Sequence, residues 1–222
     1  MDYQESHKIL YILTNEGIES LLVRRAKRYN SGILNAAQKL TKVQYVSNEK
    51  KLPSTNELSV IDNYSTIKDD IDKILFCEYL CEVLYKITLE NTNFNLLYKM
   101  INALLEEIKC RKDYDLLFLQ FKIKMLYFYG VLPNFKECYL CGNAVEGISV
   151  KNGGECSVHK TFDNIGNDST KIIYLLYKDQ FNVTDINFEV VKHLNDFIEK
   201  FYQFNFFMEF KSEQLLKKTF SL

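Results

Sequence analysis

The sequence lacks any apolar run long enough to cross a membrane. In the 222 residues the best candidate, 116–132, is interrupted by Gln120, Lys122 and Lys124. A spanning helix needs about 20 predominantly apolar residues. The opening residues Met-Asp-Tyr-Gln-Glu-Ser also contain no basic-then-apolar leader that would direct export. We therefore expect no membrane association and a location in a reducing cytoplasm.

Motifs that identify several enzyme classes are absent as well. The chain has no Walker phosphate loop, no Gly-x-Gly-x-x-Gly and no serine, cysteine or histidine constellation that resembles a nucleophile site. A zinc-dependent base deaminase needs His-x-Glu ahead of its Cys-x2-Cys pair. Here His7 is followed by Lys8 and Ile9. We therefore predict that the protein is not an enzyme.

Cysteine and histidine are scarce, yet four of them form a regular pattern. The chain has 6 cysteines and 3 histidines, and the pattern is Cys138-x2-Cys141, fourteen residues, then Cys156-x2-His159. Zinc takes four sulfur or nitrogen ligands in a tetrahedron, and two ligands three residues apart reach one ion from a single turn. Four protein ligands leave no position for substrate or water. The pattern predicts one structural zinc ion in a small ribbon at 137–160.

A hairpin is predicted between the two ligand pairs. Residues 148–150 have strand character and Asn152-Gly153 favours a turn, so the second pair would return beside the first. Gly142, directly after the first pair, permits the backbone to curl around a thiolate. The alternative of four unrelated side chains in a loop stays open, because the spacing is one residue short of the commonest arrangement and the last ligand is histidine.

Positive charge is concentrated near the N-terminus, although the net charge is only −1. Between Ser20 and Lys51, eight basic residues and the single acid Glu49 give a local net charge of +7. Such a stretch predicts a face that binds a polyanion. A solvated loop without a partner is the alternative. The candidate nucleic-acid contacts are Arg24, Arg25, Lys27, Arg28, Lys39 and Lys42.

Apolar residues recur with a period of two in the first part of the chain and of 3.6 after Asn63. Strands are predicted at 8–14, 18–23, 42–47 and 57–61. Helices are predicted at 65–90, 95–109, 115–129, 169–177 and 188–202, with Cys77, Cys81 and Cys110 as core thiols. The predicted fold class is α+β, with a small β domain at 1–64 and a helical domain at 65–222 that contains the ribbon.

Short motifs along the whole chain occur in the order found in one bacterial protein family. They lie at 2–10 (Asp-Tyr-Gln-Glu-Ser-His-Lys-Ile-Leu), 13–17 (Leu-Thr-Asn-Glu-Gly), 24–31, 82–84, 130–133 and 210–212. In this order they resemble the DNA repair protein family RecO. The basic run 24–31 is similar to the family's DNA-contacting loop.

The resemblance implies both a fold and a function. The β domain would be an oligonucleotide-binding (OB) barrel that binds single- and double-stranded DNA. The protein would be a recombination mediator that anneals complementary strands and, with RecR, helps RecA replace the single-strand-binding protein. An RNA-binding or ribosome-associated zinc-ribbon protein is the alternative, since an OB surface reads either nucleic acid.

The resemblance also implies a first barrel strand ahead of the Asp2-Tyr3 motif. Either the true start lies upstream of this sequence, or the barrel is one strand short and has an open edge that another chain could pair.

A binding site for the C-terminal tail of the single-strand-binding protein is implied on the helical domain. Such a tail ends in acidic and aromatic residues, so it needs an apolar pocket and a cation for its terminal carboxylate. The predicted helix 115–129 offers Phe118, Phe121, Lys122, Lys124 and Met125 for this purpose. The alternative is that the lysines solvate an otherwise apolar helix.

Overall fold

The structure is a computed structural model that describes residues 2–3, 5–27, 33–48, 53–55, 57–86, 92–112, 114–206 and 210–219. The chain divides into two compact units, the first comprising Met1–Thr88 and Asn93–Lys99 and the second Leu89–Thr92 and Met100–Leu222. The predicted α+β class is confirmed. No helix within the described ranges is long and apolar enough to span a membrane.

The first unit contains two small sheets. One sheet has the strand order β1 (Asp2–Tyr3), β2 (His7–Leu13), β3 (Ile18–Val23) and β5 (Ser54–Thr55). β2 and β3 form the predicted hairpin, with Leu10 opposite Leu21, whereas β5 pairs with β3 in parallel. The second sheet pairs β4 (Lys42–Tyr45) with β6 (Leu58–Asp62) in antiparallel orientation, which confirms the second predicted pair of strands.

Both sheets contribute to one apolar core. Leu21 and Val23 of β3 are fully buried, because alternate residues of a strand point to the same face. Leu58 of β6 joins them, together with alanines at and after the short helix α1 (Ile33–Ala36). Val43 of β4 packs against the same core. Within the described residues the two sheets share no strand pairing, so the arrangement is an open, OB-like barrel.

Two helices replace the single one predicted at 65–90. They are α2 (Ser65–Lys68) and α3 (Ile71–Lys86). The break is caused by Asp70, whose Oδ1 accepts hydrogen bonds from the backbone N–H groups of Asp72 (3.0 Å) and Lys73 (3.3 Å). An aspartate in this role caps the start of a new helix. The predicted end of the helix near residue 90 lies outside the described residues.

The second unit is built around α5 (Tyr114–Phe128), with α6 (Gly166–Lys178) and α7 (Phe188–Asn205) packed against it. All side chains of α5 except Asp115 and Tyr127 are buried, so this helix has no polar face. Gly130, at φ 70°, ends it. The N–H groups of Gly130 and Val131 donate to the carbonyls of Tyr127 and Leu126, both at 3.0 Å. This is the double hydrogen bond of a Schellman motif.

The remaining helices are α4 (Phe94–Cys110) and α8 (Lys211–Thr219). Helices α4 to α7 confirm the last four predicted helices within a few residues. Cys77 is buried, as predicted for a core thiol, and Cys81 is half-buried. The same prediction is wrong for Cys110, which is exposed. It lies two residues, or about 200° around the helix, from the fully buried Ile108.

The compact units place α2 and α3 with the strands of the first unit. The domain boundary between residues 64 and 65 stays a prediction.

Candidate metal centre and nucleic-acid interface

The segment between α5 and α6 forms two tight turns joined by a hairpin. In the first turn the N–H of Gly142 donates to the carbonyl of Cys138 (3.1 Å), and the N–H of Cys138 donates to the carbonyl of Asn143 (2.7 Å). Gly142 has φ 73°, a conformation that costs glycine little. In the second turn the N–H of His159 donates to the carbonyl of Cys156 (3.2 Å). Each turn therefore presents one pair of candidate ligands.

The hairpin joins these turns as predicted. β7 (Gly147–Ser149) and β8 (Gly153–Glu155) are antiparallel, with Gly147 opposite Glu155. The N–H of Tyr139 in the first turn donates to the carbonyl of Gly154 in β8 (2.9 Å). A Cβ at Gly154 would overlap the backbone oxygen of Asn134, so this close approach requires glycine. The hairpin thus fixes the first turn against the strand that leads into the second.

The potential ligand atoms of Cys138, Cys141, Cys156 and His159 all lie within 4.8 Å of one another. The Sγ atoms of Cys141 and Cys156 are 3.7 Å apart. His159 Nδ1 lies 3.6 Å from Cys138 Sγ and 3.4 Å from Cys156 Sγ. Tetrahedral bonds of zinc to sulfur and nitrogen place neighbouring ligand atoms roughly 3.5–3.8 Å apart. The cluster can therefore hold a metal ion of this size.

The thiols of the first turn have shifted pKa values. Burial raises the pKa of Cys138, but the backbone N–H groups of Leu140, Cys141 and Cys156 and the hydrogen bond with His159 outweigh it and lower this pKa to about 6. The N–H of Asn143 lowers the pKa of Cys141, yet burial and the neighbouring thiols raise it overall. Thiolate is the form that binds metals. A cation would therefore relieve the repulsion between adjacent thiolates.

A buried carboxylate beside the cluster was missed by the sequence analysis. Glu155 directly precedes Cys156 and has no exposed surface. Burial raises its pKa, but hydrogen bonds from Thr161, Asn152, Asn164 and Ser149 outweigh this and lower the pKa to about 2. The one signal in the sequence was an acidic residue between Gly154 and a candidate ligand, because the four hydrogen bonds to Ser149, Thr161 and Asn164 span six to nine residues.

The predicted nucleic-acid contacts that the structure describes lie in three places, which are the turn after β3, the turn after α1 and the start of β4. Arg24 and Arg25 are exposed in the turn after β3, and Lys27 of the same turn lies 3.0 Å from the carboxylate of Asp2. The turn is anchored, because the N–H of Arg25 donates to Nδ1 of His7 (3.1 Å). Arg28 lies outside the described residues. The turn therefore brings together three of the predicted contacts.

Lys39 and Lys42 lie further along the chain. Lys39, in the turn after α1, is exposed and pairs with Glu78 of α3 at 2.8 Å. This hydrogen bond raises the pKa of Lys39. Lys42 is half-buried at the start of β4. A role of either lysine in nucleic-acid binding stays a prediction.

The five residues predicted to bind a partner's tail are all buried. They are Phe118, Phe121, Lys122, Lys124 and Met125. Lys122 is only 2 % exposed, and its Nζ lies 2.8 Å from carboxylate oxygens of both Glu199 and Glu213. Its charge is thus neutralised inside the second unit. The structure contradicts the predicted pocket mouth, and we do not retain it.

The ammonium group of Lys124 has different partners from that of Lys122. Its Nζ donates to the carbonyls of Tyr177 (2.7 Å) and Asp179, at the end of α6, and lies 5.2 Å from the centre of the Phe181 ring. Burial lowers the pKa of Lys124 to about 8, against the opposing charge of Asp179. This ammonium group caps the last turn of α6, as a cation at a helix C-terminus does. It therefore has a packing role.

Two family models match this chain. The model described as Recombination protein O N terminal matches residues 1–64, and Recombination protein O C terminal matches residues 68–214. The chain belongs to the RecO family. This confirms the family resemblance seen in the sequence motifs.

Individual RecO proteins are similar over nearly the whole chain. DNA repair protein RecO of Listeria monocytogenes serotype 4b is 26 % identical over 230 residues, which cover 97 % of this chain and 89 % of the relative. The RecO protein of Clostridium novyi is 27 % identical, covering 90 % and 85 %. That of Staphylococcus aureus is 23 % identical, covering 98 % and 93 %. The RecO similarity therefore extends well beyond the ribbon that contains the candidate ligands.

Proposed function

We propose that this RecO family member is a DNA-binding recombination mediator of DNA repair. The observation that carries the proposal is the match of both family models, in order, along residues 1–64 and 68–214. The proposed activity is annealing of complementary strands and, together with RecR, replacement of the single-strand-binding protein by RecA. No enzymatic step is assigned to the chain.

The proposed DNA-binding domain is 1–64, and the turn after β3 is its proposed centre. Arg24 and Arg25 are exposed there, while the N–H of Lys27 donates to the carbonyl of Ser6 (3.2 Å) and holds the turn against the sheet. An anchored turn loses less entropy when its side chains bind phosphates. Arg28, Lys39 and Lys42 would extend this face. The proposed contacts of this turn are to phosphates, which position a protein on DNA without reading its sequence.

We further propose that the cluster of Cys138, Cys141, Cys156 and His159 holds one structural zinc ion. Thiolate and imidazole are ligands that suit zinc. Zinc would supply a cross-link between the two turns, with no open position for chemistry. RecR and the C-terminal tail of the single-strand-binding protein are proposed partners. The buried lysines of α5 are not part of the tail site.

The DNA-binding proposal predicts a change in salt dependence. In the double variant Arg24→Gln, Arg25→Gln, the slope of log affinity for single-stranded DNA against log salt should lose about 1.4 units of magnitude, because each phosphate contact releases about 0.7 counterion from a single strand. Affinity should fall to a similar degree for oligonucleotides of different sequence. Fluorescence anisotropy over a salt series measures both quantities.

A matched control removes two positive charges elsewhere. Lys192 and Lys200 are exposed on α7, and the double variant Lys192→Gln, Lys200→Gln changes the net charge equally. It should keep the wild-type slope. An unaltered slope in the arginine variant would place the DNA face elsewhere. A stronger competition by RNA than by DNA oligonucleotides would favour the RNA-binding alternative instead.

A further inference from the structure

The side chain of Glu155 joins two segments on either side of the second ligand pair. Its Oε1 accepts hydrogen bonds from Ser149 Oγ (2.8 Å) and Asn152 Nδ2 (2.9 Å), which belong to β7 and to the turn of the hairpin. Its Oε2 accepts from the backbone N–H of Thr161 (3.0 Å) and from Asn164 Nδ2 (2.8 Å). The carboxylate therefore ties the hairpin to the chain that follows His159.

The link from Glu155 to Thr161 closes a short loop. That loop contains both Cys156 and His159 and no other candidate ligand. Thr161 is held further, because its hydroxyl lies 2.9 and 3.0 Å from the oxygens of Glu155 and 2.7 Å from Asp163 Oδ1 and donates its one proton to either carboxylate in turn. Asp163 Oδ2 in turn accepts the N–H of Val150 after β7 (3.1 Å). Both ends of the loop are thus fixed to the same hairpin.

A carboxylate suits this position better than an amide does. Both oxygens of Glu155 receive at least two donors each, and the N–H of Thr161 cannot be turned into an acceptor. An ionised carboxylate is acceptor-only, whereas a glutamine must present an NH2 group to one set of these donors. A buried donor that loses its acceptor costs free energy. The arrangement is therefore selective for glutamate.

We propose that Glu155 is a positioning residue for the metal centre. It clamps the loop between itself and Thr161 and so holds Cys156 and His159, which lie in that loop, in ligand geometry. This inference rests on the proposed metal site. Its consequence is that the second turn is formed before the ion arrives, so that metal binding does not have to order this loop. Removing the clamp should therefore weaken metal binding while all four ligands are still present.

The test compares Glu155→Gln with Glu146→Gln. Glu146 lies in the same ribbon but is exposed, so its change removes an equal charge without touching the clamp. Metal-free protein is titrated with Co2+, whose absorption reports tetrahedral thiolate coordination, and then with Zn2+ as competitor. Glu155→Gln should bind both metals about tenfold to a hundredfold more weakly, the range for residues that orient metal ligands. Glu146→Gln should match the wild type.

A second variant and a measurement of secondary structure distinguish loss of the clamp from a general loss of structure. Thr161→Val keeps the shape of the side chain and the backbone N–H but removes the hydroxyl that Glu155 and Asp163 share, so it should weaken Co2+ binding in the same direction and to a smaller degree. Far-UV circular dichroism of the metal-free variants should equal that of the wild type. Wild-type affinity in Glu155→Gln would overturn the inference. Failure of the wild-type protein itself to bind Co2+ or Zn2+ would instead overturn the proposed metal site.

Discussion

Replacing Cys138 or Cys156 with serine is expected to abolish stoichiometric metal binding. Each is a buried member of the four-residue cluster, and a serine hydroxyl does not replace a thiolate as a zinc ligand. Wild-type protein purified with zinc should retain about one ion per chain, the count that a single tetrahedral site requires, and either variant should retain none. Elemental analysis after dialysis measures this content. Because the thiols must be deprotonated to bind, wild-type affinity should also fall as the pH falls.

The matched control is Cys110→Ser, since this thiol is exposed and lies outside the cluster. It should keep the full metal content. Loss of the ion should also release the first turn, because metal binding and folding are coupled in small metal domains, whereas the loop from Glu155 to Thr161 keeps its own hydrogen bonds. Trypsin should then cut faster after Lys136, which lies just before the first turn, with little change after Lys160, which lies in the clamped loop. Full metal content in both cysteine variants would contradict the assignment of these ligands.

The cluster of candidate metal ligands was predictable because its determinants are local in the chain. Cys138 and Cys141 share one turn, and Asn152-Gly153 gave a hairpin signal that β7 and β8 confirm. Such features depend on residues a few positions apart, where spacing and turn propensity decide the geometry. The period-two alternation of apolar residues predicted β2 and β3 for the same reason. Local patterns thus predicted the candidate metal site and much of the β unit.

The roles of Lys122 and Lys124 were not predictable from local patterns. Their partners, which include Glu199, Glu213 and Tyr177, are 53 to 91 residues away in the sequence. One signal was nevertheless present, because residues two apart lie about 200° apart on a helix. Two such lysines cannot share a single polar face. A helix that is apolar on its other sides must then bury at least one of them.

The hydrogen bonds of Glu155 could not be predicted from the sequence for a related reason. A strand residue that precedes a ligand has no characteristic spacing to its donors, and Thr161 and Asn164 are ordinary loop residues by composition. Only the folded ribbon brings them around one carboxylate. The side chains that orient a site are therefore harder to read from sequence than the ligands themselves.

The buried ion triad of the second unit joins three helices. Lys122 of α5 lies between Glu199 of α7 and Glu213 of α8, and its Nζ is 4.8 Å from the centre of the Tyr202 ring. The side chains of Glu199 and Glu213 are only 26 % and 13 % exposed. Neither carboxylate is fully hydrated, and the ammonium group compensates part of the cost of burying their charges. The position of α8 on the unit is thus coupled to one lysine.

Lys122→Met is expected to destabilise the protein by about 3–5 kcal/mol, the cost of removing one partner from a buried ion pair. Methionine fills a similar volume but removes the ammonium group that lies 2.8 Å from both carboxylates. Lys171→Met is the control, because Lys171 is exposed and 4.0 Å from the exposed Asp168, and such a pair contributes at most about 1 kcal/mol. The chain has no tryptophan, so urea unfolding is followed by far-UV circular dichroism. Adding Glu213→Gln to Lys122→Met should recover part of the loss, since it removes one of the two negative charges that faced the ammonium group. Equal stability of Lys122→Met and Lys171→Met would show that the triad contributes no more than a surface pair.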